Sequence, residues 1–126
     1  EHLNETWEML RELLTEKGML IVAVPNCSSY DAGRYGEYWA AYDVPRHLWH
    51  FTPVTIQQLA SRHGFIMAAR HPMPFDAFYV SMLSEKHRGS SCSFLKGMYA
   101  GTLAWFSTLG RKERSSSMIY VFRKKR

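Results

Sequence analysis

Cysteine is scarce in this sequence of 126 residues. Its two cysteines, Cys27 and Cys92, stand 65 positions apart and outside any CxxC spacing. Small domains that depend on disulfides carry more cysteines at short spacings, and structural zinc sites use closely paired ligands. The scarcity therefore excludes a disulfide framework and a zinc site, and it predicts two unpaired thiols.

Long apolar runs and repeats are also missing. The sequence contains no run of 18 consecutive apolar residues, and no signal-peptide pattern opens it. We therefore expect a soluble, cytoplasmic protein. With 46% hydrophobic residues the chain can bury one core, so one domain or part of one is expected. Its first residue is Glu1 rather than Met, which suggests that something precedes it.

Acidic residues are rare in the last third of the chain. Residues 83–126 carry ten Lys and Arg against two Asp and Glu, whereas residues 1–82 carry six against nine. The basic runs RKER at 111–114 and RKKR at 123–126 could meet phosphates, anionic lipid or an acidic substrate. Such short runs are more often a solvated hairpin end and terminus. We expect no nucleic-acid partner and at most a weak contact with an anionic surface.

The first 24 residues predict a helix followed by a strand, which is an α/β arrangement. Four apolar residues recur at the helical period, namely Leu3, Trp7, Leu10 and Leu14. Asn4 can cap this helix, and Gly18 can end it in the left-handed conformation. The run MLIVAV at 19–24 follows without alternation, which predicts an interior parallel strand that is covered on both faces.

Residues 25–52 show neither the helical period of 3.6 residues nor the strand period of 2. A stretch of this length without a period is usually a lid or a binding loop. Seven aromatic residues argue against disorder, namely Tyr30, Tyr35, Tyr38, Trp39, Tyr42, Trp49 and Phe51. The prolines of DVPRHLWHFTP at 43–53 forbid a continuous helix, so 43–51 should form a shaped, non-helical segment. Because ligands bind at the carboxyl ends of strands in open α/β sheets, we expect this loop to form a pocket wall there.

The second half of the sequence predicts further strands with helices between them. Thr52 caps a helix that has Pro53 in its first turn, and Gly64 ends it. A strand is expected at 65–71 and a last strand at 117–122.

Two more helices are expected between these strands, the first capped by Asp76 and reaching about Lys86. The second carries a broad apolar stripe at 94–109, namely Phe94, Leu95, Met98, Tyr99, Thr102, Leu103, Phe106 and Leu109. Such a stripe could bind a membrane surface or a partner. We expect it to pack on another element or on a second copy of the chain, because most such faces are buried.

Three stretches carry a family resemblance: EHL at 1–3, LLTEKGMLIVAVPN at 13–26 and YDVPRHLWHFTPVTIQQLASRHGF at 42–65. Together they resemble the C-terminal half of a class I S-adenosylmethionine-dependent methyltransferase, of the group that acts on small-molecule, carbohydrate or quinone-type substrates. The likeness is close over residues 1 to about 72. Beyond that point only the closing strand fits.

The resemblance implies an α/β fold that is part of a doubly wound, Rossmann-like sheet of seven strands. This chain would supply the fifth strand and the closing hairpin of the sixth and seventh, with the seventh antiparallel and a helical insertion inside the hairpin. Its implied parts are a helix and buried strand at 1–24, a substrate lid loop at 25–52, a helix and strand at 53–72, the helical insertion at 73–116, and a closing strand with a basic tail at 117–126.

The elements that hold S-adenosylmethionine in that family lie before the segment represented here. They are a glycine-rich turn after the first strand and an acidic residue after the second. No GxGxxG or GxGxG pattern occurs in this sequence, and Gly33 and Gly36 are loop glycines. The resemblance thus implies the cofactor for the full-length protein. We predict that this chain alone neither binds it measurably nor transfers a methyl group.

Candidate site residues follow from the resemblance and from side-chain chemistry. Glu1 and His2 match a Glu-His pair that lies near the cofactor in many relatives; a helix entry satisfied by solvent or backbone is the alternative. They are too few ligands to indicate a metal. His47 and His50 are candidate general bases, because imidazole titrates near neutrality. Substrate contacts are expected from Tyr38, Trp39, Arg46 and Trp49.

Two functions remain open at this point. The first is transfer of a methyl group from S-adenosylmethionine to an O, N or C nucleophile of a small-molecule acceptor, with a homo-oligomer left open. The second is a non-catalytic α/β binding module that uses its basic C-terminal third on nucleic acid or an anionic membrane. A glycine-rich βα turn within about a hundred preceding residues would decide for the enzyme.

Overall fold

The computed structural model describes residues 2–125 and is an α/β protein. Its helices are α1 (Leu3–Leu13), α2 (Tyr30–Tyr35), α3 (Pro53–Arg62), α4 (Asp76–His87) and α5 (Ser93–Gly110). Its strands are β1 (Leu20–Pro25), β2 (Phe65–Met73) and β3 (Ser117–Lys124). Within this range no helix combines the length and the apolar character that crossing a membrane requires.

The three strands form one sheet in the order β1–β3–β2, and β3 runs antiparallel to both neighbours. It follows that β1 and β2 run parallel to each other, separated by β3. The connection between these two strands passes through α3, as a crossover between parallel strands requires. The sequence predictions of strands at 19–24, 65–71 and 117–122 are confirmed to within two residues at each end.

One face of the sheet carries the main core. Trp7 of α1 meets Phe65 and Phe122 edge-to-face, with ring centroids 5.5 Å and 5.6 Å away. From α3, Ile56 and Ala60 pack into the same cluster. Because α1 and α3 present their apolar stripes to the same side of the sheet, a single layer of helices buries the large side chains of β3.

The prediction that β1 is covered on both faces is wrong for the described residues. Leu20, Val22 and Val24 pack against the core, but Ile21 is 65% exposed and Ala23 is exposed as well. The strand is also at the edge of the sheet rather than inside it. A continuous apolar run reports the character of both faces, whereas their coverage depends on elements elsewhere in the fold.

Helix boundaries were predicted well where a cap was strong. Thr52 caps α3 as expected, accepting from the backbone N–H of Thr55 at 3.1 Å, and the Thr55 side chain completes a capping box. Gly64 follows α3 with φ at +76°, as predicted.

Two predicted N-caps are wrong, and so is the predicted left-handed helix end at Gly18, because α1 has its C-cap at Leu14 and the φ of Gly18 is not positive. The side chain of Asn4 bonds to His63 at 3.0 Å instead of capping, and α1 begins at Leu3 and ends at Leu13, before Gly18. Asp76 also does not cap α4; its carboxylate accepts from the Ser117 hydroxyl. In both cases the side chain predicted to cap the helix is hydrogen-bonded to a residue from a distant part of the chain.

Helices α4 and α5 form an antiparallel hairpin between β2 and β3. The side of α5 that faces α4 consists of small residues, including Gly97 and Gly101. A Cβ at Gly97 would lie 2.5 Å from Cα of Met82. The prediction that the 94–109 stripe packs on another element is wrong within this chain, because close helix contact requires the small residues on the inside and leaves the large ones outside.

Candidate functional site

Residues 26–51 leave β1 and return to α3 as one closed loop. Asn26 and Phe51 form a parallel bridge at its base, where the N–H of Cys27 donates to the carbonyl of Phe51 at 3.0 Å. The buried Asn26 side chain donates to the carbonyls of Glu113 (2.6 Å) and Ser115 (2.9 Å). The base of the loop is thereby joined to the segment that enters β3.

A buried carboxylate organises the inside of the loop. Asp31 accepts from the indole N–H of Trp39 at 2.9 Å and from the hydroxyl of Ser116 on the same oxygen. Its other oxygen, Oδ1, has no hydrogen-bond partner within the described part of the chain. The loop contains α2, which Ser29 caps by accepting from the N–H of Ala32, so it is more regular than the sequence predicted.

The loop is also fastened to α4. The Tyr35 hydroxyl donates to Glu85 at 3.1 Å, and the Ser84 hydroxyl accepts from the N–H of Ala40 at 2.9 Å. Burial, followed by the neighbouring Glu85 carboxylate, raises the pKa of Tyr35 above its ordinary value. Helix α4 therefore holds the loop in place by hydrogen bonds that no sequence pattern indicated.

A cleft of about 390 Å³ lies between the loop and α4. Its wall includes Pro25, the last residue of β1, so the cleft opens at the carboxyl end of that strand. The loop contributes Asp43, Arg46 and His47 to the wall. Residues 43–51 are non-helical, as predicted. His47 and Pro25, at the carboxyl end of β1, line the same cleft.

His47 has one ring nitrogen engaged by the backbone. Its Nδ1 lies 3.3 Å from the carbonyl oxygen of Ala41, and a carbonyl only accepts, so this contact favours the proton on Nδ1. The other nitrogen, Nε2, is then the basic one. The preceding residue, Arg46, has its Nε 3.5 Å from the Asp43 carboxylate.

The other predicted site residues lie elsewhere. His50 is exposed, with Nε2 3.0 Å from the carbonyl of Tyr42 and its ring edge-to-face against that tyrosine. Trp49 lines a separate depression together with His2. Trp39 is only 1% exposed and belongs to the core, because the bond to Asp31 holds its indole inside the loop.

The remaining predicted residues, Tyr38 and the Glu1–His2 pair, also lie outside the cleft or outside the described residues. Tyr38 is exposed, with the guanidinium of Arg88 5.8 Å from its ring centroid. Glu1 lies outside the described residues. His2 is exposed and pairs with Glu5 at 3.0 Å, which is a local contact within the first turn of α1.

One whole wall of the cleft was not predicted from the sequence. It is formed by α4 through Asp76, Tyr79, Val80, Leu83 and His87. These positions follow the spacing i, i+3, i+4, i+7 and i+11, which marks one face of a helix. That spacing was visible in the sequence, but only the fold brings this face opposite Arg46 and His47.

The cleft combines ionisable groups at its rim with apolar walls. Asp43, Asp76, Arg46 and two histidines supply charge and proton-transfer capacity, while Val80 and Leu83 supply contact area. Such a site suits a small polar organic molecule. Within residues 2–125 no group of three or more His, Cys, Asp or Glu side chains is arranged to hold a metal ion.

Compared with protein-family models and with curated proteins, the chain matches none. We therefore infer a function from the geometry of the cleft and from the motif that lines it.

Proposed function

We propose that this chain is the substrate-side portion of an S-adenosylmethionine-dependent methyltransferase that acts on a small-molecule, quinone-type or carbohydrate acceptor. One observation carries the proposal: Arg46 and His47 of the VPRHLWHF motif line a cleft at the carboxyl end of β1. In a doubly wound sheet this is the end at which ligands bind.

The strand arrangement supports the doubly wound interpretation. An antiparallel last strand, β3, forms a hairpin with β2 in the way that the family resemblance implies. The unpaired edge of β1 and the exposed Ile21 beside it suit a sheet that continues with further strands and helices. In our proposal the remainder of the sheet belongs to residues before Glu1.

The residues of this chain do not by themselves fit S-adenosylmethionine. A glycine-rich turn and a ribose-binding carboxylate after a second strand are absent from the sequence. His2, the described member of the Glu-His pair, lies in the depression of Trp49 and not in the cleft of His47. We therefore assign the cofactor to other residues and derive no step through it.

The roles that we assign to this chain concern the methyl acceptor. His47, with Nδ1 facing the Ala41 carbonyl, would accept the acceptor's proton on Nε2. Arg46 would bind an anionic substituent, and Tyr79, Val80 and Leu83 would form the apolar wall. We favour His47 over His50 as the base, because His50 does not line the cleft.

The test is to express this chain together with the coding sequence that precedes it and to assay transfer of labelled methyl groups to mixtures of small-molecule acceptors. We expect a glycine-rich βα turn upstream and transfer that His47→Gln slows by roughly 10²-fold or more. A longer protein without such a turn and without transfer would contradict the proposal and favour the binding module.

A further inference from the structure

Helix α5 exposes a continuous apolar face. Five large side chains lie on its outer side and are between 38% and 68% exposed, namely Leu95, Met98, Tyr99, Phe106 and Leu109. Counted from Leu95 they lie at i, i+3, i+4, i+11 and i+14, which places them on one face over about four turns of this 18-residue helix. At about 1.5 Å per residue, the helix is about 27 Å long. Exposed apolar surface of this extent marks an interaction site.

The outward position of these side chains is enforced by the opposite face of the helix. A Cβ at Gly97 would lie 2.5 Å from Cα of Met82, and one at Gly101 would lie 2.8 Å from Cα of Phe78. Backbone approach this close admits only small residues on the inner side. The helix therefore cannot rotate to bury its large residues without separating from α4.

Basic residues accompany the apolar face at both ends. Lys96 lies on the first turns of α5, and Lys86 lies at the end of α4 in the adjoining turn of the hairpin. Arg111 and Lys112 follow the other end. All four are exposed, and none has a carboxylate within 4 Å in the described part of the chain.

The two acidic residues of this region do not balance those charges. Glu85 is buried against the Tyr35 hydroxyl, and Glu113 pairs with Arg70 of β2. The surface around the apolar face is therefore cationic at both ends of a stripe that is itself free of charge.

We propose that α5 lies flat on an anionic lipid surface, with its outer face in the interfacial region of the bilayer. Interfacial helices combine an apolar face of Leu and aromatic residues with Lys and Arg beside it, and Tyr and Trp are enriched at headgroup depth. The cations flanking α5 match the negative headgroups of such a surface. This docking goes beyond the methyl-transfer proposal and does not depend on it.

A second copy of the chain is the competing occupant of this face, and the charge distribution disfavours it. In a two-fold contact between α5 helices, each cationic end of one copy would lie near a cationic end of the other, whether the two helices run parallel or antiparallel. Because no acidic residue of this surface offsets those charges, repulsion between the cationic ends would oppose the apolar contact in such a dimer. A lipid surface with negative headgroups satisfies both features together.

Flotation of this chain with vesicles of phosphatidylcholine, with and without phosphatidylglycerol, tests the proposal. We expect binding to the phosphatidylglycerol vesicles that Phe106→Asp weakens by about tenfold or more, since a carboxylate would enter the apolar layer. Leu13→Asp is the matched control: this leucine at the end of α1 is 74% exposed but lies off the face, so its replacement should leave binding unchanged.

A second variant tests the cationic part. Replacing both Arg111 and Lys112 by Glu should remove the preference for phosphatidylglycerol. Circular dichroism and the urea midpoint of each variant show whether the fold persists. Absence of binding to the phosphatidylglycerol vesicles would overturn the proposal, and so would binding that survives Phe106→Asp. A dimer that Phe106→Asp dissociates would then identify a second copy of the chain as the occupant.

Discussion

At the scale of single residues, the two loop histidines differ in what surrounds them. His47 lines the cleft with Nδ1 at the Ala41 carbonyl, whereas His50 lies outside it with its ring edge-to-face against Tyr42. In the longer protein proposed above, we expect His47→Gln to lower kcat by roughly 10²–10⁴-fold, the usual contribution of general-base catalysis. His50→Gln should cost less than about tenfold. Steady-state kinetics check this, and equal losses in both variants would contradict the assignment.

Tyr120 makes the stability of the fold sensitive to alkaline pH. Burial raises its pKa to about 12, whereas an unfolded tyrosine titrates near 10. The folded state therefore keeps the neutral phenol while the unfolded state ionises. The stabilisation is complete below pH ~10 and is lost as the pH rises toward ~12, by about 2 kcal/mol.

Urea unfolding of the chain at a series of pH values from 8 to ~12 measures this loss. Tyr120→Phe keeps the ring in the core and removes the titrating hydroxyl. Its free energy of unfolding should therefore decrease less steeply with pH in the alkaline range. Because the pKa of Tyr35 is also raised, part of the slope should remain. Identical slopes for the variant and the parent chain would show that Tyr120 does not supply the effect.

Residue types indicated the chemistry of the site but not the depth of each side chain. The motif at 43–53 correctly predicted a non-helical segment near the end of β1. Trp39 and Trp49 were indistinguishable as aromatic residues of one loop, yet one is buried on Asp31 and the other is exposed. The difference arises from a carboxylate eight positions away in sequence, which no local period reveals.

At the scale of elements, the α4–α5 hairpin depends on glycine. We expect Gly97→Ala to destabilise the fold by about 1–3 kcal/mol, because the new methyl group would meet the backbone of Met82 and force the helices apart. The higher helix propensity of Ala offsets only part of that cost.

Gly110→Ala is the control within the same helix. Nothing lies within 4 Å of the Cβ that it would add, so its free energy of unfolding should be unchanged or higher by up to about 1 kcal/mol. Urea denaturation compares the two variants. A Gly97→Ala protein as stable as the Gly110→Ala protein would mean that the helices are packed less closely than described.

Strong local signals predicted the elements, and distant partners shifted their ends. The Thr52 cap and the helix end at Gly64 are formed by neighbouring residues, and both were predicted correctly. The predicted Asn4 and Asp76 caps failed because His63 and Ser117 bind those side chains. A cap is therefore predictable only where no partner remote in sequence competes for it.

At the scale of the whole molecule, the chain should lack measurable affinity for S-adenosylmethionine. Its sequence contains no glycine-rich turn, and His2 is the only described residue of the predicted cofactor pair. We expect a Kd in the millimolar range or weaker. Isothermal titration of the chain checks this, and a Kd below about 50 μM would show that the binding determinants lie within these residues.

The sequence by itself determined what local physics controls: three strands and the longer helices from apolar period, a proline-shaped loop, unpaired thiols at Cys27 and Cys92, and an uneven charge. The tertiary structure decided which surfaces meet. It set α4 opposite the His47 loop, buried Trp39, left one face of β1 open and turned the large residues of α5 outward. These outcomes depend on contacts between residues far apart in sequence, and a periodic pattern records that a face is apolar but not which partner covers it.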